Sequence, residues 1–370
     1  MKALKIGNLT IPIPIIQGGM GVCVSLSGLA AAVANEGGVG VISAVGIGMT
    51  EPGYRKNFKK ANIVALRKEI RKARAATDGV IGVNIMLAVS DFDDLLHVAL
   101  EEHVDVLFLG AGLPLKIFSN MDEAFINQIT TKFIPKVSSA RAAKIIFNHW
   151  SEKYHRVPDA VVIEGPLAGG HLGFKKPNLV SGEDSLIDII KEVKPVIQRF
   201  EMQYGIEIPI IAGGGIYTGS EMYDVINAGA SAVKMGTRFV TTNECDVSIK
   251  FKENYLRCKK EDIVIIDSPV GLPARVIKNS FVQEILNGKK SPVNCPWKCL
   301  KTCDYTKVQF CVAEALFNAA QGDFENGFSF AGTEAYRAEK IISVKETVNL
   351  LIEEYCEREV QMTRAMAVGF

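Results

Sequence analysis

Ile210-Ile211-Ala212-Gly213-Gly214-Gly215-Ile216 and, further on, Ala232-Val233-Lys234-Met235-Gly236-Thr237-Arg238 decide how this chain folds. Each is a short apolar run that stops at glycine, and the pattern Ser220–Asn227 between them reads as a helix. Working outward, six more short apolar runs, ending in or near glycine or a small polar residue, precede them: Ile11–Gln17, Val39–Ser43, Val80–Met86, Val104–Leu109, Phe133–Val137 and Ala160–Ile163. Helical patterns lie between several of them, at Ser27–Glu36, Ala61–Ala76 and Ala140–Tyr154, the last with Ser138 as a plausible cap. Fully apolar strands alternating with amphipathic helices indicate a parallel sheet covered on both faces. Eight units suit a closed (β/α)8 TIM barrel, an α/β fold. A doubly wound open sheet would carry its phosphate-binding glycines after the first strand. Here they follow the seventh and eighth, where barrels commonly seat a phosphate on backbone N–H groups, so the barrel is preferred.

From about Asp246 the pattern changes. Ser268–Pro273 reads as a loop, and several helical patterns without strand alternation follow, closing with Val344–Glu357. The expectation is a barrel over 1–245 and, over 246–370, a C-terminal helical extension covering the barrel mouth and the substrate.

Composition narrows the class. The chain has 370 residues, 48% hydrophobic and 22% charged, with 42 basic against 41 acidic side chains. That suits a compact globular protein, and the lack of a basic stripe argues against nucleic acid. No stretch reads as a membrane span or a secretory signal, so the cytoplasm is expected. Eight cysteines without an export signal do not suggest a disulfide framework.

Three features point to chemistry. Gly213-Gly214-Gly215 with Gly236-Thr237 is a candidate phosphate cradle, although glycines also make tight turns. His171 stands in the glycine-rich loop Glu164-Gly165-Pro166-Leu167-Ala168-Gly169-Gly170-His171-Leu172-Gly173 after the sixth strand. Such a loop brings an imidazole close to a flat ligand, and imidazole exchanges its proton near neutral pH. His97, His103, His149 and His155 fall in or near helical patterns and read as surface or packing residues.

The third feature is Cys295-Pro296-Trp297-Lys298-Cys299-Leu300-Lys301-Thr302-Cys303, with Cys311 beyond it. On a helix Cys295 and Cys303 would stand about 12 Å apart, too far to share one zinc ion. Zinc or an iron–sulfur cluster would need the segment to bend or unwind, and the spacing is not that of a ferredoxin. Ordinary buried cysteines are the simpler expectation.

The stretch Gly213–Phe239 resembles the phosphate region of nitronate monooxygenases (2-nitropropane dioxygenases) and inosine monophosphate dehydrogenases. The dehydrogenases carry a cysteine after the sixth strand; the glycine-histidine loop here instead resembles nitronate monooxygenases and the related flavin-dependent enoyl-acyl carrier protein reductases. Pro14–Met20, Leu29–Val33 with Gly37–Gly40, and Gly82-Val83-Asn84 agree with that resemblance, which covers roughly 10–350.

The resemblance implies FMN. Gly18, Gly19, Met20 and Asn84 would hold the flavin ring, and Gly213, Gly214, Gly215, Gly236 and Thr237 its phosphate. Glu164, Gly169 and Gly170 would lie beside it, and Lys136 would face the ring. It implies His171 as the catalytic residue.

The expected activity is oxidation of small alkyl nitronates with dioxygen. The alternative is NAD(P)H-dependent reduction of an enoyl-acyl carrier protein, with Arg275 and Lys278 meeting the carrier's phosphopantetheine. A redox-sensing flavin or metal protein and a flavin-free sugar-phosphate barrel are further readings, and a homodimer is the candidate assembly. Leu167 stands where many relatives have an acid, and Lys234 where they have glutamine; both bear on the substrate.

Overall fold

The computed structural model describes the whole chain apart from residues 119–120, 122, 183, 290–292, 296 and 369–370. A hairpin of β1 (Leu4–Ile6) and β2 (Leu9–Ile11) comes first. Then β3 (Ile15–Gln17), β4 (Val39–Ser43), β5 (Val80–Met86), β6 (Val106–Gly110), β7 (Lys132–Val137) and β8 (Val161–Glu164) line up in parallel. After β9 (Gly170–His171), β10 (Ile210–Gly213) and β11 (Ala232–Met235) close the ring between β8 and β3. The expected (β/α)8 barrel is therefore present.

The expected first strand, Ile11–Gln17, is two strands. Pro12 and Pro14 each lack an N–H and fix φ, so the ladder breaks between them. The piece before the break turns back as β2, and Leu4, Ile6 and Ile11 plug the bottom of the barrel among Ile16, Val41, Phe108, Ile134 and Val162. Residues of the opposite parity, such as Ile15, Ile42, Leu107 and Ile163, face the surrounding helices. This alternation follows from strand geometry and separates the inner core from the outer one. At Gly40 the helix Ser27–Asn35 comes so close that a Cβ would stand 1.8 Å from the Ala30 carbonyl oxygen. The helix cap after β7 is Ser139, which accepts the Ala142 N–H, rather than Ser138.

The extension also departs from expectation. β12 (Ile263–Asp267) and β13 (Pro273–Ile277) form an antiparallel hairpin around Ser268–Leu272, and β13 pairs with β9. Ile263–Ile266 and Val276-Ile277 are β-branched runs flanking a Pro-Val-Gly turn, which is a hairpin signal. Helices do follow, and Val344–Val368 packs along Gly219–Asn227. Among the described residues no helix is long and apolar enough to cross a membrane.

Candidate active site

Strand parity carries the inner core upward into the mouth. Two residues beyond Val41, Phe108, Ile134, Val162, Ile211 and Ala232 stand Ser43, Gly110, Lys136, Glu164, Gly213 and Lys234. The register sets Glu164 and Lys234 on either side of Gly213. Gly213 leaves a gap between them, and Gly110 clears the path of Lys136: a Cβ there would meet Lys136 Cε at 2.2 Å. Lys136 Nζ lies 3.5 Å from Glu164 Oε1, and Lys234 Nζ lies 5.5 Å from the centre of the Phe108 ring. Burial, with the charge of Lys136 added, pushes the Lys234 ammonium down to about 7, against the pull of Glu164.

His171 reaches the same group from β9. Its Nε2 is 2.7 Å from Ser268 Oγ, which also accepts the Val270 N–H, and its ring meets the Phe330 ring edge-on. Burial holds the imidazole down at about 4; Glu164 raises it and Lys136 lowers it. His171 is therefore neutral at ordinary pH. Ser268 supplies the polar partner that Leu167 does not, since Leu167 is 45% exposed and packs against Gly215. Composition and spacing did not single out Ser268; the β12–β13 hairpin would have found it.

The glycine loops converge, although each glycine has a local duty. Gly18 donates its N–H to the Met235 carbonyl, and a Cβ on it would lie 3.0 Å from Gly236 Cα. Gly19 sits over Asn84, and Met20 lies against Gly236. Gly214 and Gly215 have φ of +100° and +80°, conformations that favour glycine, and pack on the Gly165–Ala168 loop. Gly169 and Gly170 admit a segment that the sequence reading missed: Ala331-Gly332 lies against Gly169 and Phe330 against Gly170. Gly332 donates its N–H to Thr237 Oγ1 at 2.9 Å.

Most N–H groups at the start of the helix Gly219–Asn227 are already held by side chains. Glu221 accepts the Tyr217 and Thr218 N–H groups, and Glu354 accepts that of Gly219. Two buried atoms at the mouth, Asn84 Oδ1 and Ser43 Oγ, have no partner among the described residues, although buried polar groups ordinarily do. A ligand N–H or O–H would satisfy them, which fits a polar, flat group lying on the Gly18–Met20 loop.

Arg275, a candidate contact for a carrier, is buried rather than presented at the surface. It is 4% exposed, and its guanidinium donates to the Pro166 and Ala168 carbonyls. The four clustered cysteines are not on a helix; Pro296 lies outside the described residues. Cys295, Cys299, Cys303 and Cys311 are half-buried and line one cavity. Burial pushes the Cys299 thiol up to about 12, with Cys311, Cys295 and Cys303 adding to it.

A closed parallel barrel with charged and imidazole side chains gathered at the carboxyl ends of its strands defines a (β/α)8-barrel enzyme. The family profile described as "Nitronate monooxygenase" matches residues 2–103 and 88–354, and the chain belongs to that family of oxidoreductases. FabK from Thermotoga maritima has the same fold, with a TM-score of 0.73, 30% identity and 96% of each chain covered. A probable nitronate monooxygenase of Staphylococcus saprophyticus is 26% identical over 303 residues, 75% of this chain and 79% of that protein. The (3aS,4S,5R,7aS)-5-hydroxy-7a-methyl-1-oxo-octahydro-1H-indene-4-carboxyl-CoA dehydrogenase of Mycobacterium tuberculosis is 27% identical over 278 residues. That match spans 75% of this chain and 66% of that protein, just under two thirds of its length.

Proposed function

We propose that this protein is an FMN-dependent oxidoreductase whose mouth accepts a small substrate carrying or developing negative charge, an alkyl nitronate in the leading reading. The observation that carries it is the gathering of Lys136, Lys234 and a neutral His171 around Glu164 at the carboxyl end of the barrel. Cations preorganised in a water-poor site stabilise an anion without reorganising. A neutral imidazole held at about 4 is a weak base, so the site suits a substrate that is already an anion better than a neutral nitroalkane.

FMN fits the residues present. Asn84 and the Gly18–Met20 backbone would hold the ring, and the Gly213–Gly215 and Gly236-Thr237 backbones its phosphate. Bound FMN supplies the two-electron acceptor, with dioxygen as the final oxidant. The chain's own part is to seat the anion by Lys136 and Lys234 and orient it with the imidazole that Ser268 fixes. Glu164 holds Lys136 in place.

A second reading is reduction of an unsaturated acyl thioester with NAD(P)H. It is favoured by the match to Thermotoga maritima FabK along nearly the full length of both chains and by the mycobacterial relative named for a CoA thioester. The same cations would then stabilise an enolate.

The test is anaerobic flavin bleaching in FMN-loaded protein. Bleaching by propyl nitronate alone supports the first reading. Rapid bleaching by NADH or NADPH, with the nitronate inert, moves the assignment to the second. A protein that never retains FMN overturns both.

A further inference from the structure

The described residues of 295–311 belong neither to the barrel nor to the group around His171, yet they are specifically placed. Between Cys295 and Phe310 the described backbone makes no helix, and Lys298 takes a φ of +48°. That fold-back brings Cys295, Cys299, Cys303 and Cys311 onto one cavity of about 20 Å³, whose remaining wall includes Val293 and Val308. None of the four is in a disulfide. The Lys298 N–H donates to Cys295 Sγ at 3.4 Å, and Cys311 stands immediately before the helix Val312–Ala320 without a side-chain bond to it.

The segment is also docked. The Ser90 N–H donates to the Cys299 carbonyl at 2.9 Å, the Lys301 N–H donates to that of Ala88 at 2.8 Å, and Leu300 bridges Val89. Thr302 Oγ1 reaches the Val270 carbonyl, two residues from Ser268. The cysteine loop thus joins the segment after β5, which carries Asn84, to the hairpin turn that fixes His171.

Core packing alone does not require four sulfurs on one small cavity. Four thiols with no carboxylate or imidazole among them form a soft donor set, which selects zinc or iron–sulfur chemistry. The Cys-x3-Cys spacing lies within the range zinc sites use. Among the described residues no group of three or more His, Cys, Asp or Glu side chains is already placed to hold a metal ion. A zinc ion would therefore draw the loop inward, whereas a cluster would hold the sulfurs farther apart.

We propose that Cys295, Cys299, Cys303 and Cys311 form an all-thiolate site for a thiophilic metal centre, zinc or an iron–sulfur cluster. The centre pins the 295–303 segment against the loop after Met86 and the Ser268 turn. Each thiol releases its proton to solvent as its sulfur–metal bond forms, and ligation itself moves no electron. The site is independent of the flavin reading, so a protein that failed to retain FMN would leave it standing.

The experiment is elemental analysis and acid-labile sulfide determination on full-length protein purified anaerobically, then after incubation with zinc or with iron and sulfide. About one zinc per chain, or about four irons with about four sulfides and an electron paramagnetic resonance signal on reduction, supports the site and says which metal fills it. Cys299→Ser and Cys303→Ser should each lower metal affinity at least about tenfold. Should those variants fail to fold, native alkylation of the wild type decides. Protection of four of the eight cysteines that vanishes when metal is stripped supports the site. Metal far below one per chain after both incubations, disulfide pairing of the four thiols in the anaerobic protein, or alkylation indifferent to metal overturns it.

Discussion

Replacing His171 with asparagine should remove a specific acid sensitivity from the fold. The folded imidazole sits at about 4 against an ordinary 6.5, with burial the main cause. As pH falls through 6.5 the unfolded chain takes up a proton that the folded chain refuses until about 4. The sign follows from linkage: the folded pKa is depressed, so the contribution is intact above the upper value and lost as pH falls toward the lower one. Integrating the two titrations gives a loss of about 2 kcal/mol between about pH 7 and about pH 5. For a chain of this length that is about 3 °C in Tm. The assay is thermal unfolding of wild type and His171→Asn at matched flavin content across that pH range. Wild type should lose about 3 °C more than the variant between those pH values, whatever the other carboxylates and histidines contribute to both. Parallel curves for the two proteins would refute the buried, neutral histidine and with it the argument against a strong base.

Loss of Lys136 (Lys136→Met) should slow flavin reduction about tenfold or more, read by anaerobic stopped-flow absorbance; an unchanged rate sinks its electrostatic role. Lys234 is charged below about 7 and neutral above it, so wild-type affinity for an anionic substrate should weaken roughly fivefold as pH rises through that value. Lys234→Gln should abolish that dependence in steady-state kinetics. Gly40→Ala should cost about 3 kcal/mol or more in urea unfolding, because its methyl would overlap the Ala30 carbonyl; a neutral result would show that the helix can slide.

The barrel was legible because its evidence is periodic. Apolar runs ending in glycine state both the strand and the end of it that faces ligand, and the glycines after the last two runs excluded the open sheet. The pattern misleads where a second signal overrides it. Pro12 and Pro14 divide an apparently continuous run, and the half before them becomes the plug of the barrel. In the extension, Ile263–Ile266 was a short apolar run beside helical patterns, and periodicity alone does not separate a short strand from a piece of helix.

The site was legible in the same uneven way. Lys136, Glu164, Gly213 and Lys234 belong to strands, so their meeting at one level follows from parity and register. Partners that come from distant loops obey no such rule. Ser268 reaches His171 across 97 positions of sequence, and Gly332 reaches Thr237 across 95. Both belong to the extension, which the sequence reading treated as a cover. It is better understood as a clamp, because β13 continues β9 as a sheet and thereby sets the backbone from which His171 projects. Arg275 on that strand spends its buried guanidinium on the Pro166 and Ala168 carbonyls, holding the loop from the other side. The orientation of the imidazole thus depends on residues outside the barrel, and substitutions in the β12–β13 hairpin should reach the chemistry without touching a ligand.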